Sequence, residues 1–283
     1  MTARAPNPSG TGRTGYIKPY FAYFRVRYFA NLQYRTAAWA GLATQFAWGF
    51  MMILLYRAFY RSGPEGFAMS FEAVAAYIWL QQALLTFYSI WALDTSIFKD
   101  IMDGSLAYEL LRPLNLYSWW FAKSAALRTA RATLRFLPVL VVAALLPRPY
   151  GLMLPVSLPA FFMFLVTLAM TLCLVIAYTM FIYIGTIRTL NPQGLRILAV
   201  SLTELLTGAI VPLPFMPPRV QRVLELTPFG VMQNLPLRIY SGDISLRGSL
   251  TGFSRQVFWL AVMVLLGRRL MKQALRRVTL QGG

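Results

Sequence analysis

The sequence predicts an all-α protein that crosses a lipid bilayer six times, with an N-terminal interfacial helix and re-entrant outer helices between spans five and six. The 283 residues are 58% hydrophobic and only 13% charged, whereas soluble domains have about 45–50% apolar and about 25% charged residues. The apolar residues form long blocks separated by Pro, Gly and Arg, and not the alternating pattern of strands. Helices also satisfy their own backbone in lipid, so spanning helices are favoured over a barrel.

The charge pattern supports the same class. The chain has a formal net charge of +18, but a nucleic-acid-binding domain would gather its basic residues on a soluble fold. Here the basic residues lie between apolar blocks, where they set orientation and contact anionic lipid headgroups. We therefore predict membrane lipids, and no nucleic acid, as partners.

The residue types also exclude several kinds of site. The chain has no His, which removes Ser-His-Asp arrangements and His-based zinc sites. We predict no catalytic and no metal site. The single cysteine, Cys173, excludes an intrachain disulfide and lies inside an apolar block.

Residues 1–36 are predicted to form a cytoplasmic N-terminus and an interfacial helix. Aromatic and basic side chains are mixed here, and Phe21, Phe24 and Tyr28 fall near one helical face. Arg25 intrudes on that face, but a long basic side chain can extend to headgroups. We favour a helix on the membrane surface over a nucleic-acid-binding helix. No apolar run with a small-residue cleavage site follows promptly, so no cleaved signal peptide is expected.

Residues 37–283 are predicted to form one membrane domain with spans at about residues 37–60, 71–98, 119–146, 156–187, 195–211 and 251–267. The third span is the hardest to place, because its purely apolar run, 136–146, covers only about half of a ~30 Å hydrocarbon core. This span must therefore begin within 119–129 and carry arginines in its cytoplasmic part.

Two connections differ from ordinary loops. Residues 99–117 carry charges of both signs and are predicted to form a cytoplasmic segment with a short helix that ends before Pro113. Residues 212–250 contain six prolines among apolar residues, which predicts outer helices that enter the membrane and return. Six crossings place most basic residues on the side of both termini, so that side is expected to be cytoplasmic.

Three stretches resemble a known family. Residues 103–114 read Asp-Gly-Ser-Leu-Ala-Tyr-Glu-Leu-Leu-Arg-Pro-Leu and look like the G-x-L … L-L-R-P signature of a branch of the bacterial ABC-2 type transporters. Residues 227–229 and 236–242 are similar to the outer re-entrant region of its membrane subunit. The basic tail that ends at 281–283 also matches that branch.

The resemblance implies a permease subunit of an ATP-driven exporter in the bacterial inner membrane. Such a subunit pairs with a second permease, as a homodimer or heterodimer, and docks on two ABC ATPase subunits, with the path at the permease interface. The chain has no phosphate-cradling Gly-x-x-x-x-Gly-Lys-Ser/Thr loop. ATP and Mg²⁺ are therefore expected in the partner ATPase, and this chain is not expected to be an enzyme.

The resemblance also indicates which residues contact the ATPase. The coupling element is expected to include Asp100, Asp103, Gly104, Glu109 and Arg112. The alternative is a solvated loop whose charges lie at helix ends.

Three residues are candidates for the translocation path: Arg131, Arg135 and Glu204. A charge inside a span must reach headgroups, water or protein. Arg128 is interpreted as an anchor that extends to the headgroups, and the same anchoring is the alternative for Arg131 and Arg135, which could otherwise favour anionic substrates. Glu204 either belongs to the path or is held by hydrogen bonds to neighbouring threonines. The aromatic residues of the spans are interpreted as belt or packing residues rather than a binding cage; they are Trp119, Trp120, Tyr178 and Tyr183.

Two other functions are alternatives. An ion-coupled carrier that acts alone usually has several intramembrane charges and internal repeats, whereas this chain has one deep acid and no convincing repeat. A membrane-embedded lipid enzyme needs a convergent nucleophile, base or metal ligands. The sequence does not identify the transported substrate.

Overall fold

The computed structural model describes residues 14–33, 35–63 and 67–276. Three predictions fall outside them: most of the cytoplasmic N-terminus, part of the polar turn after the first span, and the basic tail that ends at 281–283. The described part of the chain is helical and contains no strand, which confirms the predicted all-α class.

The described residues form thirteen α-helices and a 3-10 turn at Leu213–Phe215. The helices are α1 (Thr14–Asn31), α2 (Arg35–Arg61), α3 (Phe71–Ala83), α4 (Leu85–Tyr88), α5 (Thr95–Met102), α6 (Leu106–Leu110), α7 (Leu116–Leu145), α8 (Leu158–Thr189), α9 (Pro192–Leu206), α10 (Pro218–Leu226), α11 (Pro228–Met232), α12 (Asn234–Tyr240) and α13 (Leu246–Leu275). Among them, three are long and apolar enough to cross a membrane, in the ranges Trp39–Arg61, Leu158–Thr189 and Leu246–Leu275.

The basic helix α7 turns its charges toward protein. It begins at Leu116, where the Asn115 side chain accepts a hydrogen bond from the Ser118 N–H at 3.1 Å, and it reaches about 45 Å at ~1.5 Å per residue. Lys123 and Arg128 are 4% and 1% exposed. A charged helix can therefore pack in this fold because neighbouring elements surround two of its basic residues, Lys123 and Arg128.

The segment 71–98, predicted as one span, is broken. It forms α3, α4, a non-helical stretch at 89–94 and then α5. The Arg128 guanidinium donates to the carbonyl oxygens of Thr86 at 3.0 Å and Ser89 at 2.7 Å, so it satisfies carbonyls that the break leaves without helical partners. The prediction that Arg128 reaches the headgroups as an anchor is therefore wrong.

The predicted fifth span is also shorter than expected, since α9 ends at Leu206. The chain then turns at Gly208, whose φ is +78°, a backbone conformation that favours glycine. A Cβ at Gly208 would lie 2.5 Å from Leu213 Cδ1. The turn and the following 3-10 turn therefore need glycine here for both conformation and space.

The outer segment, predicted as residues 212–250, ends at residue 245 because α13 begins at Leu246. Its helices α11 and α12 pack into the protein, where every residue from Gly230 to Ser241 is buried. The long helices α8 and α13 pack along each other and contact α11 and α12. Gln256 of α13 is fully buried and donates to the carbonyls of Thr167 and Val231 and to the Thr171 hydroxyl. One amide therefore ties α13 to both α8 and α11.

Candidate functional site

The predicted coupling element begins with a tight turn between α5 and α6. The Asp103 carboxylate accepts hydrogen bonds from the Ser105 N–H at 3.0 Å and the Ser105 hydroxyl at 2.7 Å, and these bonds hold the pKa of Asp103 below its usual value. Gly104 has a φ of +79° and open space around its missing Cβ. The glycine is therefore required by the backbone conformation and not by close packing.

A buried lysine of α7 holds the two other acids of this element. Lys123 Nζ lies 2.9 Å from Asp100 Oδ2 and 3.7 Å from Glu109 Oε1. Glu109 also accepts hydrogen bonds from the indole nitrogens of Trp119 at 3.3 Å and Trp120 at 2.7 Å. These acids are fixed to the body of the protein, and both tryptophans have a structural role. Sequence reasoning missed Lys123 as their partner, because it lies on a different helix.

The outward side of the same element carries two large exposed side chains beside a guanidinium group. Tyr108 is 73% and Leu111 81% exposed, while the Arg112 guanidinium lies 5.3 Å from the centroid of the Trp119 ring. We call Tyr108, Leu111 and Arg112 the coupling face. The sequence contained no specific signal for it, since single exposed apolar side chains are common on protein surfaces.

The N-terminal helix supports the coupling element from the side. The Tyr20 hydroxyl accepts a hydrogen bond from the Asn115 N–H at 2.9 Å. The centroids of the Tyr23 and Trp119 rings lie 3.8 Å apart. Phe21 on the other side of α1 is 67% exposed. The helix therefore has one face on the protein and one available to headgroups.

A cavity of about 700 Å³ lies among α2, α3, α4, α7 and α9. Arg135 and Glu204 both line this cavity, whereas Arg131 is not among its lining residues. The other lining residues are Gly41, Thr44, Gln45, Trp48, Met52, Tyr56, Ile78, Gln81, Gln82, Leu85, Trp91, Ala209, Ile210 and Pro212. The structure thus brings together two of the three residues that the sequence suggested for the path.

Glutamine side chains hold the wall of the cavity where α3 ends. Gln45 Nε2 donates to the Gln82 carbonyl at 2.9 Å, and Gln81 Nε2 donates to the Ala209 carbonyl at 2.8 Å. Gln45 is 2% exposed, and its Oε1 atom has no hydrogen-bond donor among the described residues. The cavity therefore contains a buried acceptor whose hydrogen-bonding capacity is not used.

The threonines beside Glu204 do not hold its carboxylate. Thr203 donates to the Ala199 carbonyl at 2.6 Å and Thr207 to the Thr203 carbonyl at 2.7 Å. Each hydroxyl has a single proton to donate, so the interpretation that these threonines fix Glu204 is wrong. Within the described ranges, Glu204 makes no hydrogen bond or ion pair.

Arg135 lies against a glycine of α2. A Cβ at Gly41 would lie 2.4 Å from the Arg135 Cζ atom, so the guanidinium occupies the space that any larger residue at 41 would need. The Arg135 side chain also has an interaction partner elsewhere in the protein. The helix pair α2 and α7 is therefore closely fitted at this end of the cavity.

Comparison with known proteins identifies a family. Residues 46–282 match the model of a family described as ABC-2 family transporter protein. The matched range includes the whole coupling element and most of the cavity lining. No curated protein matches the chain.

Proposed function

Because the chain belongs to the ABC-2 family of transporter proteins, we propose that it is the membrane-spanning permease subunit of an ATP-driven exporter. The observation that carries this proposal is the arrangement on α7. Near its start, Lys123 holds the segment that carries the coupling face. Farther along the same helix, Arg135 lines a cavity. A permease needs both a surface that contacts its ATPase and a path for its substrate.

In this proposal the chain crosses a bacterial inner membrane six times, with both termini in the cytoplasm. The spans are α2, α3 with α4, α7, α8, α9 and α13, while α10, α11 and α12 form the re-entrant outer segment. At ~1.5 Å per residue α9 is about 22 Å long, which is shorter than a ~30 Å hydrocarbon core. The burial of residues 230–241 supports this arrangement, because broken helices at membrane depth need surrounding protein.

The coupling face docks on an ABC ATPase, which binds ATP and Mg²⁺. The residues of the element have two roles. Asp100 and Glu109 hold it to Lys123, while Asp103, Gly104 and Arg112 shape its exposed turn and side. A second permease subunit completes the path beside the cavity. Arg131 stays a candidate for the path, outside the cavity lining of a single subunit.

Exchange of an exposed leucine tests the docking. Leu111→Asp should abolish co-purification of the ATPase from native membranes, because it puts a charge into an apolar contact. Leu154→Asp is the matched control, since Leu154 is 78% exposed in the connection between α7 and α8, and it should retain the ATPase. Equal recovery of ATPase with both variants would contradict the proposed coupling face.

Reconstitution tests the class of transporter. The chain with its ATPase should transport only when ATP is present, whereas an ion-coupled carrier would transport as a lone subunit without nucleotide. Full transport by the lone subunit would exclude the proposed function.

A further inference from the structure

The cavity is elongated. Its lining follows α2 from Gly41 to Tyr56, a distance of about 22 Å along the helix. Trp48 and Trp91 line it and are also 50% and 45% exposed at the protein surface. A ligand could therefore enter from the side of the bilayer, and an apolar ligand body would contact aromatic rings.

Two acceptors in the cavity have no donor from the described residues. One is the Glu204 carboxylate, and the other is Gln45 Oε1. A carboxylate at membrane depth is costly without a cation, a donor or water nearby, and an unused buried acceptor adds a further cost. The groups that would remove both costs are a positive charge and an N–H donor.

The aromatic lining points to the same kind of ligand. The rings of Trp48, Tyr56 and Trp91 border the cavity, and aromatic faces attract cations. The one basic lining residue, Arg135, lies against Gly41 and is engaged in an interaction of its own. The two acceptors of the cavity that lack a donor among the described residues, the Glu204 carboxylate and Gln45 Oε1, are therefore negative or electron-rich, and the rings beside them are electron-rich as well.

We propose that this cavity binds a hydrophobic organic cation, with its charge beside Glu204 and its apolar body against Trp48 and Trp91. An N–H group on the cation would donate to Gln45 Oε1. This inference rests on the proposed function, in which the cavity is part of the translocation path, and it names the substrate class of that path.

A matched pair of ions tests the proposal. Tetraphenylphosphonium and tetraphenylborate have nearly the same size and shape and opposite charge. Binding is measured by equilibrium dialysis with the purified full chain in phosphatidylcholine nanodiscs, corrected for empty nanodiscs. The cation should bind more tightly than the anion, and Glu204→Gln should weaken cation binding about tenfold because the carboxylate is lost.

Two control variants separate the site from general effects. Glu72→Gln removes an acid outside the cavity lining and should leave cation binding unchanged. Trp48→Leu should weaken cation binding about threefold through the loss of a ring, whereas Trp39→Leu, on the same helix but outside the lining, should not. Arg135→Gln should not weaken it.

Two results would overturn the proposal. The first is tighter binding of tetraphenylborate that Arg135→Gln abolishes, which would make the ligand an anion. The second is unchanged cation binding in a folded Glu204→Gln variant. Because the assay contains no nucleotide and no ATPase, each result leaves the test of ATP-driven transport separate.

Discussion

Lys123 shows how one residue can determine the position of a whole segment. Its ammonium group is buried, and its two acidic partners lie on α5 and α6. Removing one partner of a buried ion pair is costlier than removing a surface pair, because the remaining charges stay away from water. The element would then lose its main fixed point on the body of the protein.

Replacement of Lys123 should therefore destabilise the protein. Lys123→Met is expected to lower the free energy of unfolding by about 3 kcal/mol, measured as a lower thermal midpoint in detergent. Lys99→Met is the matched control, because Lys99 is an exposed lysine of the same region, and it should change the midpoint little. Adding Glu109→Gln to Lys123→Met should recover part of the loss. No difference between the two lysine variants would contradict the buried role of Lys123.

Residue spacing could predict some of this chemistry and not the rest. The sequence places Arg128, Arg131 and Arg135 at helical spacing on one helix, and it indicates that they need partners. It cannot show that the partners of Arg128 are backbone carbonyls of a broken helix, because those contacts join residues 39 and 42 positions apart. Arg135 and Glu204 could be named as candidates, but only the fold brings them to one cavity.

At the scale of elements, the outer segment is held by a small ionic network. Arg238 of α12 is 9% exposed, lies 2.6 Å from Glu225 Oε1 and also pairs with the Asp243 carboxylate. Arg255 of α13 donates to the Glu225 carbonyl at 3.3 Å. The network fixes α10 and α12 to each other and to α13.

The network should make the stability of the outer segment depend on pH. Burial raises the pKa of Glu225, but hydrogen bonds from Gln221 and Arg238 outweigh it, and the net pKa lies below the ordinary value of 4.5. The ionised form therefore stabilises the fold, and this contribution is present above pH 4.5 and lost as the pH falls through the lowered pKa. The thermal midpoint of wild type should exceed that of Glu225→Gln at about pH 7, and the difference should disappear at about pH 3. A difference that stays constant over this range would argue against the ion pair.

Some boundaries of the elements could be predicted from the sequence and others could not, for a physical reason. Long runs without charges, residues 36–56 in α2 and 158–187 in α8, have enough apolar length for their helices to be recognised. The breaks after α3 and α9 depend on interactions with distant residues, such as the Gln81 bond to Ala209, and local hydropathy cannot report these. The outer segment was indicated by its prolines, but the burial of α11 and α12 comes from their packing on α8 and α13.

At the scale of the whole molecule, the proposed orientation can be tested with single cysteines. In a Cys173→Ser background, Leu154→Cys and Arg219→Cys should react with a membrane-impermeant maleimide added to intact cells, since both positions are exposed and are assigned to the outside. Tyr108→Cys and Gln193→Cys are equally exposed, but they should react only after the cells are opened. Labelling of position 108 in intact cells would reverse the orientation.

The continuity of α7 has a mechanical consequence. Lys123 and Arg135 lie on one uninterrupted helix, about 18 Å apart along its axis. The hydrogen bonds of a helix make it stiff along that axis. A displacement of α6 that is transmitted to Lys123 would therefore also displace Arg135, because no loop lies between the two residues. Gly41, which leaves no space between the guanidinium and α2, passes that shift to the neighbouring helix. If an ATPase binds at one end of α7, as we propose, its movement would change the width of the cavity at the other end.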